Sequence, residues 1–321
     1  MKKVIFLSMK FFNYEETISQ SISKKGFQCQ LMYSEPEYSF FDSLIKKVDK
    51  DWFLKKTEKY ILSKLNDINE CDYLIINFSP NLSDKSVELF RRKFPNIKII
   101  YYIWDSVDNF PNVLNIANCC DKVYSFDRHD CKEYGYTFLP LFYSPINSHE
   151  NKEKKYDYSM IFSIYPKKVS NYLLLKNALP DKKIAFKHIF VPKKMYYYYK
   201  SFFKEFKVLK KKDVKFYSLS RKKVYDIFES SKVTIDCPLT NQRGLTMRTF
   251  EALSLGIKIV TTNEDIINYD FYNENNIFVV KNKEDVVTEE FFDLPFDYSN
   301  SMEKYSIDNF VKRLTEELDN D

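Results

Sequence analysis

Apolar residues along this chain follow two spacings. Short uninterrupted apolar runs alternate with longer segments in which apolar positions recur every third or fourth residue, the mark of alternating strands and amphipathic helices. In the first half, Lys3–Leu7, Phe27–Tyr33, Tyr73–Asn77, Ile97–Ile103 and Lys122–Ser125 predict strands. Between them, Asn13–Lys24, Phe40–Leu65, Asp84–Phe94 and a short stretch near Val113–Ala117 predict helices. Runs such as Leu74-Ile75-Ile76 and Ile99-Ile100-Tyr101-Tyr102-Ile103 lack polar alternation, so both strand faces are buried, as in a parallel sheet covered by helices.

The alternation breaks at Ser144–Lys155, where Pro145, Asn147, Ser148 and a charged run intervene, and then resumes. In the second half, strands are predicted at Tyr156–Ser163, Lys183–Lys187, Val214–Tyr217, Val233–Asp236, Lys258–Thr261 and Ile277–Val280. Helices are predicted at Val169–Ala178, Arg221–Ser230, Met247–Leu255 and Ile307–Leu318. The expected fold is α/β, with two doubly wound Rossmann-like domains over residues 1–146 and 147–321 facing a cleft. The amphipathic last helix is a candidate to pack back on the first domain. In such sheets ligands lie beyond the carboxyl ends of the strands.

Composition narrows the chemistry. The 321 residues include only four glycines, Gly26, Gly135, Gly244 and Gly256, too scattered for a dinucleotide fingerprint or a Walker loop. The six cysteines show no CxxC spacing, which points to reduced thiols, and the three histidines are too dispersed for a metal cage. No metal site is expected. No stretch approaches the roughly 18 apolar residues of a membrane span. Met1-Lys2-Lys3 and its short apolar run read as a first strand rather than a signal peptide. The net charge of +5 does not by itself call for nucleic acid.

The most informative segment is Lys232–Asn263, KVTIDCPLTNQRGLTMRTFEALSLGIKIVTTN. A buried strand ends at Asp236, a loop covers Pro238–Gly244, and a helix opens near Thr246 and stops at Gly256 before another buried strand. A helix N-terminus presents unpaired N–H groups and partial positive charge, which suits a diphosphate. Arg243 and Arg248 flank it, and Glu251, one turn further in, carries a carboxylate able to accept both hydroxyls of a ribose. Residue by residue, Phe250, Leu253 and Leu255 are core positions, Gly256 is a C-cap and Glu251 is a solvated helix residue. Taken together, the arrangement favours binding.

Arg248-Thr-Phe-Glu251-Ala-Leu-Ser-Leu-Gly256, followed by an apolar strand and Thr-Thr-Asn263, resembles the donor-binding motif of two-domain (GT-B) glycosyltransferases. More narrowly, the chain is similar to bacterial group 1-like and CgeB-like transferases of lipopolysaccharide or capsular polysaccharide synthesis. Tyr101–Asp105, Tyr124–Asp127 and the stretch from Tyr134-Gly135 to Leu139-Pro140-Leu141 fit the same resemblance, which covers most of the chain in order. It implies a nucleotide-sugar donor, UDP-type, in the C-terminal domain, with no separate cofactor, and a glycan or lipid-linked glycan acceptor in the N-terminal one. Glu251 would hold the ribose, and Arg248 with the backbone at Thr246 the phosphates. The position eight before Glu251, where many retaining members carry a second Glu, holds Arg243, so an inverting outcome is favoured. The family's first C-domain loop often carries Gly and a basic residue. Here it reads Ser163-Ile-Tyr-Pro-Lys167-Lys168, which keeps the charge and makes either lysine a candidate for the diphosphate or an ordinary solvated loop residue.

Glycosyl transfer needs a base for the acceptor hydroxyl and electrostatic stabilisation of the leaving diphosphate, which a helix terminus and cations supply without metal. The literal DxD matches at Asp49–Asp51 and Asp319–Asp321 lie in a polar helical stretch and at the chain end. Asp105, after the Ile99–Trp104 strand, is the first candidate base and Asp127 the second; for Asp105 a helix N-cap role stands nearly level. His129 is a weaker alternative. Lys193–Lys215 holds nine lysines and two acids interleaved with aromatics. It reads first as a solvated face over an aromatic core, then as a contact with an anionic membrane surface, and last as nucleic-acid binding, since no such module accompanies it. A metal-independent cytoplasmic glycosyltransferase is therefore expected, with peripheral contact at the inner membrane face as a further expectation and no nucleic-acid partner. A nucleotide-sugar epimerase or hydrolase, or a non-catalytic glycan- or partner-binding protein, is the alternative.

Overall fold

A computed structural model describes residues 1–37, 49–144 and 153–319. The chain divides into two compact units, Met1–Pro140 with Ile307–Asp321, and Leu141–Ser306. Of the predicted interruption at 144–155, residues 145–152 lie outside the described residues, as do residues 40–48 of the predicted helix Phe40–Leu65.

The first unit contains β1 (Lys3–Ser8), α1 (Tyr14–Lys24), β2 (Gln28–Tyr33), α2 (Lys50–Leu65), β3 (Tyr73–Asn77), α3 (Asp84–Lys93), β4 (Lys98–Ile103), α4 (Val113–Ala117), β5 (Lys122–Ser125), α5 (Arg128–Tyr134) and β6 (Thr137–Phe138). Its strands run parallel in the order β2-β1-β3-β4-β5-β6. The unalternating runs sit in the middle: β3 is buried along its whole length, and Ile99–Ile103 of β4 are buried throughout. Local signals fix the helices. The Ser83 hydroxyl accepts the Ser86 N–H at the start of α3, and Arg91, Arg92 and Lys93 fill its last turn, where the helix dipole favours cations. Val87 and Phe90 turn its other side into a core with Leu74, Ile76, Ile99 and Tyr101.

The last helix, α11 (Ile307–Asp319), packs on the same unit. Asp308 Oδ1 accepts the Ser21 hydroxyl of α1 at 3.0 Å, and Phe310 meets the Tyr102 ring edge-on at 5.0 Å.

The second unit contains β7 (Tyr156–Ser163), α6 (Val169–Ala178), β8 (Ala185–Phe190), α7 (Lys193–Phe202), α8 (Arg221–Glu229), β9 (Ser231–Asp236), α9 (Met247–Ser254), β10 (Lys258–Thr261), β11 (Ile277–Val279) and α10 (Glu289–Asp293). Its parallel strands lie in the order β11-β10-β9-β7-β8. Two predicted strands change. The one expected at Lys183–Lys187 runs over Ala185–Phe190, because Ile189 is the side chain that reaches the core, with Val191 just beyond. The one expected at Val214–Tyr217 shrinks to a single bridge: Lys215 pairs with Phe190 on the sheet edge, and only Val214 and the partly buried Phe216 turn inward. Strand β6 and helices α5, α7 and α10 have no counterpart among the predicted elements.

Both sheets thus follow one plan, with the second strand in sequence outside the first and the third on its other side. That order is the Rossmann-like, doubly wound arrangement, and it creates a switch point between β1 and β3 in one unit and between β7 and β9 in the other. At a switch point the loops leaving neighbouring strands diverge to opposite faces of the sheet, which opens a crevice at the carboxyl edge.

Candidate functional site

In the second unit, the loops at the β7/β9 switch point are those that carry the candidate donor residues. After β7 the chain turns through Pro166–Lys168 into α6, and after β9 a loop from Cys237 leads to α9. The two loops are clasped together. The Lys167 carbonyl accepts both the backbone N–H of Thr240 at 2.9 Å and its hydroxyl at 2.6 Å. Asn171 Nδ2 donates to the Pro238 carbonyl at 3.2 Å, and the Ser170 and Thr240 hydroxyls lie 2.9 Å apart. The far side is pinned from β10: buried Asn263 donates to the Gly244 carbonyl at 3.1 Å, as does the Gln242 amide. Asn241 adopts a left-handed φ of 73° within this loop.

Glu251 is not a solvated helix residue. It is 6% exposed, and its Oε1 accepts the Tyr225 hydroxyl of α8 at 2.6 Å. Arg221 Nη2, one turn earlier on α8, lies 3.9 Å from the same oxygen, with its guanidinium carbon 5.6 Å from the Tyr225 ring centre. Burial first, and the neighbouring carboxylate second, drive the Tyr225 hydroxyl well above its ordinary pKa, so it stays a donor. A carboxylate fixed by a tyrosine and an arginine is a rigid acceptor for vicinal hydroxyls.

The helix start differs from the expectation in sign. Asp236, at the end of β9 and 3% exposed, accepts the Thr246 hydroxyl on Oδ1 at 3.0 Å and the Thr249 hydroxyl on Oδ2 at 3.2 Å. A buried carboxylate therefore stands beside the positive end of α9. Thr246 is the N-cap residue, and its side chain accepts no helix N–H. Arg248 turns inward: Nη1 donates to the Ile161 carbonyl of β7, and the guanidinium lies 5.3 Å from the Phe228 ring centre. Arg243 and Lys167 are exposed on the two loops, and Lys168 lies over the Tyr165 and Phe162 rings at 5.4 and 6.0 Å. All six donor-side candidates thus lie on the loops after β7 and β9 or on α9 that follows, with Arg248 serving the sheet.

In the first unit the candidate bases lie away from the β1/β3 switch point. Asp105, after β4, accepts the Ser106 N–H at 2.9 Å and the Asn109 amide at 3.3 Å, both within its own loop. Asp127, after β5 and 1% exposed, caps α5 by accepting the His129 N–H at 2.8 Å. His129 is half-exposed and 4.0 Å from Asp130. Three carboxylate and phenol positions were missed by sequence reasoning. Asp236 and Tyr225 look in sequence like any strand end and any amphipathic-helix tyrosine. Glu15 is fully buried in the first turn of α1, accepts the Phe11 N–H at 3.0 Å on Oε2, and has no hydrogen-bond partner on Oε1 among the described residues. The loop before it holds Phe12 and Asn13 at positive φ, a strained entry with no glycine to announce it.

Of the two literal DxD matches, the first has Asp49 capping α2 by accepting the Trp52 N–H at 2.9 Å, and the second extends outside the described residues. Among the described residues no three His, Cys, Asp or Glu side chains converge as metal ligands would, and no helix is long and apolar enough to cross a membrane. All six cysteines are thiols.

No known family model matches the sequence, and no curated protein matches it. Solved structures do match in fold. UDP-GlcNAc 2-epimerase from Methanocaldococcus jannaschii aligns over 100% of both chains with a TM-score of 0.56 at 11% identity. UDP-GlcNAc 2-epimerase from Neisseria meningitidis, bound to UDP-GlcNAc, aligns over 100% of both with a TM-score of 0.55 at 10% identity. An alpha-glucosyltransferase in complex with UDP and a mismatched DNA aligns over 99% of this chain and 92% of its own, with a TM-score of 0.50 at 13% identity. Likeness at these identities concerns the fold, which is of the GT-B type.

Proposed function

We propose that the protein is a glycosyltransferase that takes a sugar from a nucleotide-sugar donor, UDP-type, and passes it to a glycan acceptor of a cell-surface polysaccharide or lipid-linked glycan. The observation that carries this reading is Glu251, buried and held by Tyr225 and Arg221 on the helix that follows the β9 loop, a loop clasped in turn to that of β7. In this role the Glu251 carboxylate accepts the ribose hydroxyls, and Lys167, Arg243 and the start of α9 meet the diphosphate. Lys168 supports the first loop from its place over Tyr165, and Arg248 holds α9 against β7.

Transfer forms a bond from the acceptor oxygen to the anomeric carbon and breaks that carbon's bond to the diphosphate oxygen, while the hydroxyl proton passes to a base. Asp105 is the better base candidate of the two in the first unit, because Asp127 is enclosed as a helix cap. The carriage of UDP or UDP-GlcNAc by the structurally similar proteins supports the donor class.

Calorimetry of UDP and UDP-sugars with the wild type and Glu251→Gln tests the reading. The amide keeps an acceptor for Tyr225 but loses the charge, so nucleotide affinity is expected to fall by roughly tenfold or more, the worth of hydrogen bonds to a charged group. Equal affinity in both proteins refutes the donor site. Donor consumed at the same rate without any acceptor glycan would replace transfer by epimerisation or hydrolysis.

A further inference from the structure

The basic and aromatic segment of the second unit differs from a solvated lysine face laid over an aromatic core. Helix α7 presents two stripes to solvent, at 193, 197 and 201 and at 194, 198 and 202, the spacing that puts residues on one helical face. The inward side is well anchored: Tyr196 and Phe206 are buried, and the Tyr196 hydroxyl donates to the Leu209 carbonyl at 3.3 Å. The outward side is aromatic as well. Tyr197 is 50% exposed, Tyr198 45% and Phe202 73%, with Val208 beside them at 51%. The Tyr198 and Phe202 rings lie 5.0 Å apart, tilted by 44° to each other, a preformed ridge one helical turn long.

Lysines ring this ridge. Lys193, Lys204, Lys207, Lys210, Lys211 and Lys212 are exposed, and the nine cations between 193 and 215 are all lysine, against Glu205 and Asp213. One of the two acids is turned to local use, since Asp213 Oδ2 accepts the Lys210 N–H at 2.8 Å.

We propose that this ridge docks the protein on an anionic lipid bilayer, with Phe202, Tyr198, Tyr197 and Val208 entering the headgroup boundary and the lysines facing the phosphates around it. Tyr and Phe with an apolar body suit an interface that is wet on one side and oily on the other. Strongly hydrated lysine point charges suit a diffuse layer of headgroups, whereas bidentate recognition of a fixed phosphate or carboxylate favours the planar fork of arginine, which the segment lacks. The docking surface lies wholly within the second unit and stands apart from the donor reading.

Vesicle co-sedimentation of the full chain decides it, using neutral phosphatidylcholine and the same lipid with about 30 mol% phosphatidylglycerol, a charge density that attracts polybasic segments. Binding is expected to the anionic vesicles, at least about tenfold weaker to the neutral ones, and weakened by added salt. Phe202→Ser with Tyr198→Ser, and separately Lys204→Glu with Lys207→Glu and Lys211→Glu, are each expected to lower partition by about tenfold or more. Their unfolding temperatures and UDP affinity are expected to match the wild type, because these side chains stand on the surface. No binding to anionic vesicles, equal binding to both lipids, or binding that survives both sets of substitutions overturns the proposal. So does tight capture of a single-stranded oligonucleotide by a protein that ignores the vesicles.

Discussion

Replacing Asp130 by Asn is expected to stabilise the protein at neutral pH and to erase part of its pH dependence in mildly acid solution. Asp130 lies on α5, 3% exposed, with Oδ2 accepting the Val107 N–H at 2.9 Å. Burial pushes its carboxyl from an ordinary 3.8 up to about 6, more than the Val107 hydrogen bond and the nearby His129 can offset, and the charges of Asp127 and Asp108 push the same way. The folded protein therefore holds this proton up to about pH 6, while the unfolded chain releases it near 3.8. Between those values the folded state binds more protons than the unfolded one, so stability falls as pH rises from about 4 to about 6 and stays reduced above that. The gap corresponds to at most about 3 kcal/mol.

Asn presents the same acceptor to Val107 without a charge to desolvate. The expected result is a rise in unfolding temperature of up to roughly 6–12 °C at pH 7 to 8 for a unit of this size, shrinking toward nothing near pH 4. Thermal unfolding of the full chain, wild type against Asp130→Asn across pH 4 to 8, reads the difference and cancels the other titrating groups. A variant that is less stable than the wild type at pH 8, or a difference that does not change with pH, refutes the argument from burial.

Three further outcomes follow from single contacts. Arg248→Met is expected to lower the unfolding temperature, because the Ile161 carbonyl loses its guanidinium donor and is left part-buried, a loss of about 1–3 kcal/mol; an unchanged melting temperature with lost UDP affinity would instead give Arg248 to the phosphates. Gly256→Ala is expected to cost about 1–2 kcal/mol, since its φ of 67° is the left-handed C-terminal conformation and the new methyl would meet the Tyr298 hydroxyl at 2.3 Å; because exposed Tyr298 can swing away, Tyr298→Ala in the same chain should restore little, and full rescue would place the cost in the clash. Asp236→Asn is expected to tighten UDP binding by about three- to tenfold by removing a like charge beside the proposed diphosphate site; weaker binding by calorimetry would mean that the carboxylate is needed to shape the loop.

The elements that sequence pattern located are those whose burial is two-sided or whose ends carry a local signal. β3 and β4 read directly as apolar runs, α3 announces itself by Ser83 and its basic last turn, and α9 by Gly256 at its end. What escaped depends on partners remote in sequence. Lys215 looks like part of a strand because its neighbours are β-formers, but at the edge of the sheet it finds only one residue of β8 to pair with. Helix α7 was hidden because four consecutive tyrosines give no clear inside and outside until the turn at Phe206 and Leu209 selects Tyr196 as the buried one. The same holds at the candidate site. Glu251 was visible from its spacing to Arg248 and Gly256, whereas Tyr225, which fixes it, lies 26 residues away on another helix. Arg248 had the right residue type at the right spacing, but the rotamer that sends it to Ile161 follows from the β7 backbone and leaves no trace in the local sequence.

The charges around α9 explain why its start cannot hold a diphosphate alone. A helix N-terminus carries the equivalent of roughly half a positive charge, felt within its first turn. Asp236 is fully negative when ionised, is enclosed, and already draws the hydroxyls of the first turn toward itself. Left to these two, the site would repel an anion. Positive charge from the neighbouring loops must then tip the balance, and those loops are the ones clasped at Thr240, with Lys167 on one and Arg243 on the other. In that reading the clasp does more than brace the chain: it ties together the two loops that carry these exposed cations, one of them next in sequence to a helix start with an acid built in behind it. Glu251 takes no part in this balance, because Tyr225 and Arg221 hold it on the following turn of the helix. On the proposed donor reading, recognition of the ribose hydroxyls and of the phosphates is divided between two anchors that different substitutions can separate.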